Sequence, residues 1–298
     1  MLSAYPKNNE LPKSPKPDCD AGDRRSISCL VLDIAIGPVG NPVLQCVRKM
    51  SETFATNLSP DRIRALIVEA RALILDVDGT LAETEEAHRQ AFNTAFAGAG
   101  LDWHWDRPAY KELLRVAGGK ERIRAFDHAR DGQPSVLSDS QIAELHQIKT
   151  RLYAELITEG GCPLRPGIRA LLDAARRRGQ PLAIATTTSR DNIDVLLSAS
   201  LGKDWEQWFA AIVAGDEVTR KKPAPDVYLK VLSKLNLPAQ ECLAIEDSGI
   251  GLAAAIGAGI PVLISRSAYF SDDDFSGAAC TIDDLTEVAG ILANESEA

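Results

Sequence analysis

ALILDVDGT, residues 72–80, is the stretch that decides the fold. Its first four residues are apolar without a polar break, the pattern of a short strand buried on both faces, as in a parallel sheet. The strand delivers Asp76 and Asp78 at its C-terminal end. Two residues apart on extended chain, they point the same way, and Gly79 then permits a sharp turn. Paired carboxylates so placed suit one as a nucleophile and the other as a proton carrier, and together they make half of a Mg²⁺ site.

Downstream, strands and helices alternate. Helical patterns over 167–178, 192–199, 224–235 and 249–257 separate apolar runs over 181–186, 210–215, 242–247 and 260–265. That alternation predicts an α/β fold, a Rossmann-like parallel sheet covered by helices, with ligands at the C-terminal strand ends. Residues 84–160 carry helical stripes instead, among them Ala87, Ala91, Phe92, Ala95 and Phe96. A helical-bundle cap inserted after the first strand would stand over the active site. The expected division is an N-terminal extension at 1–69, a catalytic core at 70–83 and 161–298, and a cap at 84–160.

The other strand ends carry chemistry of the same kind. The second ends Thr186, Thr187, Thr188, Ser189; hydroxyls there, with the N–H groups of a following helix, form a phosphate cradle. Lys222 precedes Pro223 just before a helix, well placed to meet a phosphoryl oxygen. The last gives Glu246 and Asp247 before Gly249, hard oxygen ligands that would complete the Mg²⁺ site with Asp76. Taken singly, these are also a helix cap, a solvated lysine pair and a capped turn. Their joint order at successive strand ends carries the argument.

That order resembles the four signature motifs of the haloacid dehalogenase superfamily over residues 72–298. The segments DVDGTLAETEEAHRQAFN (76–93), DWHWDR (102–107), GGKERI (118–123), ATTTS (185–189) and KKPAPDVY (221–228) are similar to the CbbY group, phosphatases of xylulose-1,5-bisphosphate. The resemblance implies that Asp76 attacks phosphorus to form an aspartyl-phosphate, while Asp78 protonates the leaving sugar oxygen and then activates water. It implies Thr186 and Lys222 on the phosphoryl oxygens, and Mg²⁺ held by Asp76, the main chain of Asp78 and Asp247, with Glu246 alongside. Glu83 and His88 would contact sugar hydroxyls. Gly118, Gly119, Lys120 and Arg122, with His146 and Lys149, would meet a second phosphate. Thr187, Thr188, Ser189 and Asn192 would line the cradle. The implied product is xylulose 5-phosphate, and the implied role is removal of a Rubisco inhibitor in carbon dioxide fixation. Alternatives are a sugar phosphomutase like β-phosphoglucomutase, or a non-catalytic Rubisco-associated binding protein. The latter would show loss of Asp76, Asp78, Lys222 or Asp247, and all four are present.

Composition agrees with a small-molecule enzyme. The 298 residues are 45% hydrophobic and 25% charged, with a net charge of −9. After residue 69, 34 acidic side chains face 24 basic ones, the wrong field for nucleic acid. All four histidines lie between 88 and 146, which argues against histidine chemistry on the core strands. The six cysteines form no metal-ligand or disulfide pattern and read as reduced thiols. No secretory or membrane signal is evident, so a cytoplasmic monomer is expected. Residues 1–26 read as a disordered tail and 27–36 as a strand. Met50, the only internal methionine, is a candidate alternative start.

Overall fold

The computed structural model describes residues 58–130, 135–160, 162–286 and 288. The expected tail, the expected strand over 27–36 and Met50 lie outside these residues. Among the described residues nine α-helices and six strands occur. In chain order they are α1 (Pro60–Glu69), β1 (Ala72–Leu75), α2 (Glu85–Gly98), α3 (Arg107–Leu113), α4 (Gly119–His128), α5 (Asp139–Thr158), α6 (Ile168–Arg177), β2 (Leu182–Ala185), α7 (Arg190–Leu201), β3 (Ala211–Val213), α8 (Asp226–Leu235), β4 (Cys242–Glu246), α9 (Gly249–Gly257), β5 (Val262–Ser265) and β6 (Cys280–Ile282).

All six strands are parallel, in the order β3-β2-β1-β4-β5-β6. β1 is central: Leu73 pairs with Leu182 on one side and Leu243 on the other. Strand order reverses at β1, where a doubly wound sheet opens its binding crevice. Side chains of β1 alternate between two cores. Leu73 and Leu75 pack with Ile63 and Ile67 of α1 and Leu171 of α6, while Ala72 and Ile74 pack with Val227 and Val231 of α8. Each such fully buried Leu, Ile or Val stabilises by about 1.5–3 kcal/mol. Helix α1, assigned above to the N-terminal extension, thus contributes fully buried side chains to the body of the sheet.

Between β1 and α6 stand α2–α5, four helices with loops between them. Their shared core is aromatic: Phe92, Phe96, Trp103, Trp105 and Tyr110 close around Ile123 and Leu145. Asn93 pins the loop before α3 by donating to the Trp105 carbonyl (2.9 Å) and accepting from its N–H (2.8 Å). A reciprocal box between Ser138 and Gln141 starts α5. Strand β1 matches its apolar run, β2–β5 are shorter than theirs by one to three residues, and β6 was not expected. Only three residues long, with Cys280 alone of them buried, it has too little periodicity to read. No helix among the described residues is long and apolar enough to cross a membrane. Cys162, Cys242 and Cys280 are free thiols.

Candidate active site

The chain passes from β1 into the site without losing sheet register: the Asp76 N–H still donates to the Ile245 carbonyl (3.1 Å). Asp76 is 7% exposed. Lys222, delivered from the loop before α8, donates from Nζ to Asp76 Oδ1 at 2.5 Å and to Glu246 Oε1 at 2.6 Å. Glu246 is fully buried and also accepts from the Tyr228 hydroxyl and from the Asp247 N–H. The lysine is therefore held between nucleophile position and buried carboxylate. Gly79 turns the chain at φ +78, and a Cβ there would lie 1.9 Å from Asp247 Oδ2. Only glycine lets the β1 loop come this close to the acids after β4.

Asp78 faces the helical insertion α2–α5, termed the cap. It accepts from Thr84 Oγ1 (2.5 Å) and lies 3.2 Å from His88 Nε2. Lys149 Nζ lies 2.7 Å from His88 Nδ1 and over the rings of Phe92 and Tyr153. With Lys149 donating to Nδ1, the imidazole proton sits on Nε2 and is donated to Asp78. Burial and the Lys149 ammonium push His88 below its ordinary value, and burial pushes Lys149 down to about 7. Burial alone would raise Asp78, but His88, Thr84 and Lys149 overcome it and hold the carboxyl down at about 2. Asp78 thus rests ionised.

Asp76 and Asp247 go the other way. Burial, with Glu246 and Asp78 nearby, pushes Asp76 up to about 8 in spite of Lys222. Burial and the neighbouring acids raise Asp247 well above the carboxylate range. Asp76, Glu246 and Asp247 each bring an oxygen within 4.8 Å of the others, and buried Asp247 Oδ2 has no hydrogen-bond partner. Three carboxylates around one ammonium lack positive charge, and an orphaned buried oxygen lacks a partner. Both fit a hard divalent cation with oxygen ligands.

One cleft joins these groups to the cap. Thr186, Thr187, Thr188 and Ser189 line its core side with Asn192. Thr186 Oγ1 accepts from the Thr188 N–H (3.2 Å), and Asn192 Nδ2 donates to Thr188 Oγ1 (2.9 Å). Ser189 Oγ and Asn192 Oδ1 are buried without partners, two polar atoms available to a ligand. Gly118, Gly119, Lys120 and Arg122 line the cap side with His88, His146 and Lys149. Arg122 is partly committed: it donates to the carbonyls of Leu113 (3.1 Å) and Val116 (3.3 Å) and to the Tyr110 hydroxyl (3.1 Å).

Glu83 is the expected contact that the structure does not bring into this cleft. It stands outside α2, paired with Arg165 Nε (3.3 Å), accepts from the Ala268 N–H, and lines a separate cavity with Tyr269 and Lys111. Glu85 occupies the cleft instead, 7% exposed, its Oε2 accepting from Tyr110 (2.7 Å). The signal was available: Glu85 and Thr84 lie one helical turn before His88 and share its face, whereas Glu83 precedes the helix. Lys221, Tyr228 and Arg165 were also missed as site residues. Arg165 donates to the carbonyls of Gly79 (2.5 Å), Ser265 (2.9 Å) and Asp283 (3.0 Å), tying the nucleophile loop to the ends of β5 and β6.

Known proteins match this arrangement. Residues 70–259 match the family of haloacid dehalogenase-like hydrolases. Protein CbbY of Rhodobacter capsulatus is 52% identical over 222 residues, covering 74% of this chain and 96% of that one. The crystal structure of CbbY from Rhodobacter sphaeroides in complex with phosphate superposes with a TM-score of 0.70 at 46% identity, over 74% of this chain and 96% of that one. A mutant of the same protein, crystallised with xylulose-1,5-bisphosphate, gives 0.70 at 45%, over 73% and 96%. The chain therefore belongs to the haloacid dehalogenase-like hydrolases, as a phosphatase of the CbbY group.

Proposed function

We propose that the chain is a Mg²⁺-dependent sugar-bisphosphate phosphatase that converts xylulose-1,5-bisphosphate to xylulose 5-phosphate through an aspartyl-phosphate on Asp76. One observation carries the reading. A single cleft has phosphoryl-transfer groups on its core side (Asp76, Asp78, Thr186, Lys222) and cations on its cap side (Lys120, Arg122, Lys149). A related protein, 45% identical, has been crystallised with that bisphosphate.

In the first half-reaction a carboxylate oxygen of Asp76 bonds to phosphorus and the bond from phosphorus to the sugar oxygen breaks, with Asp78 donating its proton to that oxygen. Asp78 is ionised in the resting arrangement, so the proton must be gained as substrate binds. A phosphate dianion arriving beside a carboxylate favours its neutral form. In the second half-reaction Asp78, now ionised, takes a proton from the water that attacks phosphorus, and the bond from phosphorus to Asp76 breaks, releasing phosphate and the free carboxylate. Lys222 lies 2.5 Å from the nucleophile, so a phosphoryl group reached by Asp76 is within reach of the ammonium. Thr186 and Ser189 supply hydroxyls from the end of β2, and Glu246 with Tyr228 fixes Lys222. Asp76, the main chain of Asp78 and Asp247 would hold Mg²⁺. When bound it supplies the positive charge that lets an anionic carboxylate approach a phosphate dianion.

The test is phosphate release from xylulose-1,5-bisphosphate, ribulose-1,5-bisphosphate and simple monophosphates, with and without a chelator and with D76N as control. The expected result is preference for the first compound, loss on chelation, and a fall of about 10⁴-fold or more in D76N. Equal rates on all compounds, or activity surviving D76N, contradicts the reading.

A further inference from the structure

Two adjacent lysines enter the cleft from the core and behave differently. Lys222 is 4% exposed and locked to Asp76 and Glu246. Lys221 crosses to the cap, where its Nζ lies 3.0 Å from Glu121 Oε2, joining the core to the first turn of α4. Lys221 is 19% exposed and Glu121 43%, so this carboxylate can leave for solvent at little cost. The pair sits against the Gly118–Gly119 turn. A Cβ on Gly118 would lie 2.5 Å from Lys221 Nζ and 2.3 Å from Glu121 Oε2; one on Gly119 would lie 2.5 Å from His146 Nε2. Side chains from three elements thus converge where the backbone is bare.

A substrate with a second dianion needs cations outside the reaction centre, and most of those present are already engaged. Lys149 is buried against His88, and Arg122 gives three donors to cap acceptors. Lys120 and Lys221 remain, one from each side of the cleft. Resting on the sugar-bisphosphate reading above, we propose that Lys221 is a specificity-determining residue for the second phosphate, and that Glu121 is the carboxylate this phosphate displaces. A monophosphate leaves the Lys221–Glu121 pair in place. A bisphosphate exchanges Glu121 for its own distal oxygens, so that core and cap are joined through the substrate.

The experiment compares K221M, K221R and E121Q with the wild type on xylulose-1,5-bisphosphate and on p-nitrophenyl phosphate. K221M is expected to raise KM for the bisphosphate about 10- to 100-fold, the value of one charge-assisted contact, with a much smaller rise for p-nitrophenyl phosphate. K221R should restore most of the loss. E121Q should shift KM for the bisphosphate the opposite way, down by about 3-fold, because the competing carboxylate is gone. A structural strut would make K221M and E121Q move both substrates in the same direction, and that result overturns the proposal. A wild type that does not prefer the bisphosphate overturns the substrate reading itself. A wild type that prefers it, with K221M keeping the full preference, overturns only the role of Lys221.

Discussion

The two sides of the cleft are built on opposite principles. On the core side, at the C-terminal ends of β1 and β4, Asp76, Lys222, Glu246 and Asp247 are nearly or wholly buried. Asp76 and Glu246 share Lys222, and Glu246 takes Tyr228 as well. On the cap side Lys120 is exposed, Glu121 is a half-exposed partner to Lys221 reaching over from the core, and the turn before α4 is two glycines. On the proposed reading, the difference separates chemistry from choice of substrate. Groups that must meet a transition state are over-determined by their neighbours, whereas groups that must admit and release a substrate hold exchangeable partners.

Substituting a lysine on each side tests this division most severely. K222M leaves Asp76 and Glu246 buried without their cation. Urea unfolding should show a loss of about 3–5 kcal/mol together with near-complete loss of activity. K120M, on the exposed face of α4, should change stability by less than about 0.5 kcal/mol while raising KM for the bisphosphate about 10-fold. Similar destabilisation by both would erase the distinction.

A smaller effect belongs to His146, a partly buried imidazole among the cap cations. Burial, with Lys149, Lys120 and Lys221 nearby, pushes its imidazole from 6.5 down to about 3. Below pH 6.5 the unfolded chain therefore binds a proton that the folded chain refuses. Stability is complete above that pH and is lost as pH falls towards 3. The wild type should lose about 2 kcal/mol relative to H146Q between pH 7 and pH 5, read from unfolding curves. An equal pH dependence in both proteins would mean that His146 ionises normally, and so that the cations do not converge on it.

How much of this was legible in the sequence follows the same boundary. Asp76, Asp78, Thr186, Lys222 and Asp247 could be read because strand ends in a parallel sheet are ordered along the chain and converge at one edge. Their partners on the cap depend on helical phase. Counting back one turn from His88 reaches Glu85 and Thr84, both in the site, and passes over Glu83, which pairs with Arg165 instead. Arg165 itself was invisible, since it acts through main-chain carbonyls from 86 to 118 residues away and leaves no local pattern. Lys221 looked like the solvated neighbour of Lys222 until the cap carboxylate opposite it was placed.

The central claim is that the sugar-bisphosphate's phosphoryl group passes through Asp76. The direct measurement is peptide mass spectrometry of enzyme quenched in acid within the first turnovers on xylulose-1,5-bisphosphate with Mg²⁺. One phosphoryl group should appear on the peptide containing Asp76, disappear as substrate is exhausted, and be absent from D76N. Rapid phosphate release with Asp76 unmodified throughout, or a phosphoryl group on another residue, would contradict the account.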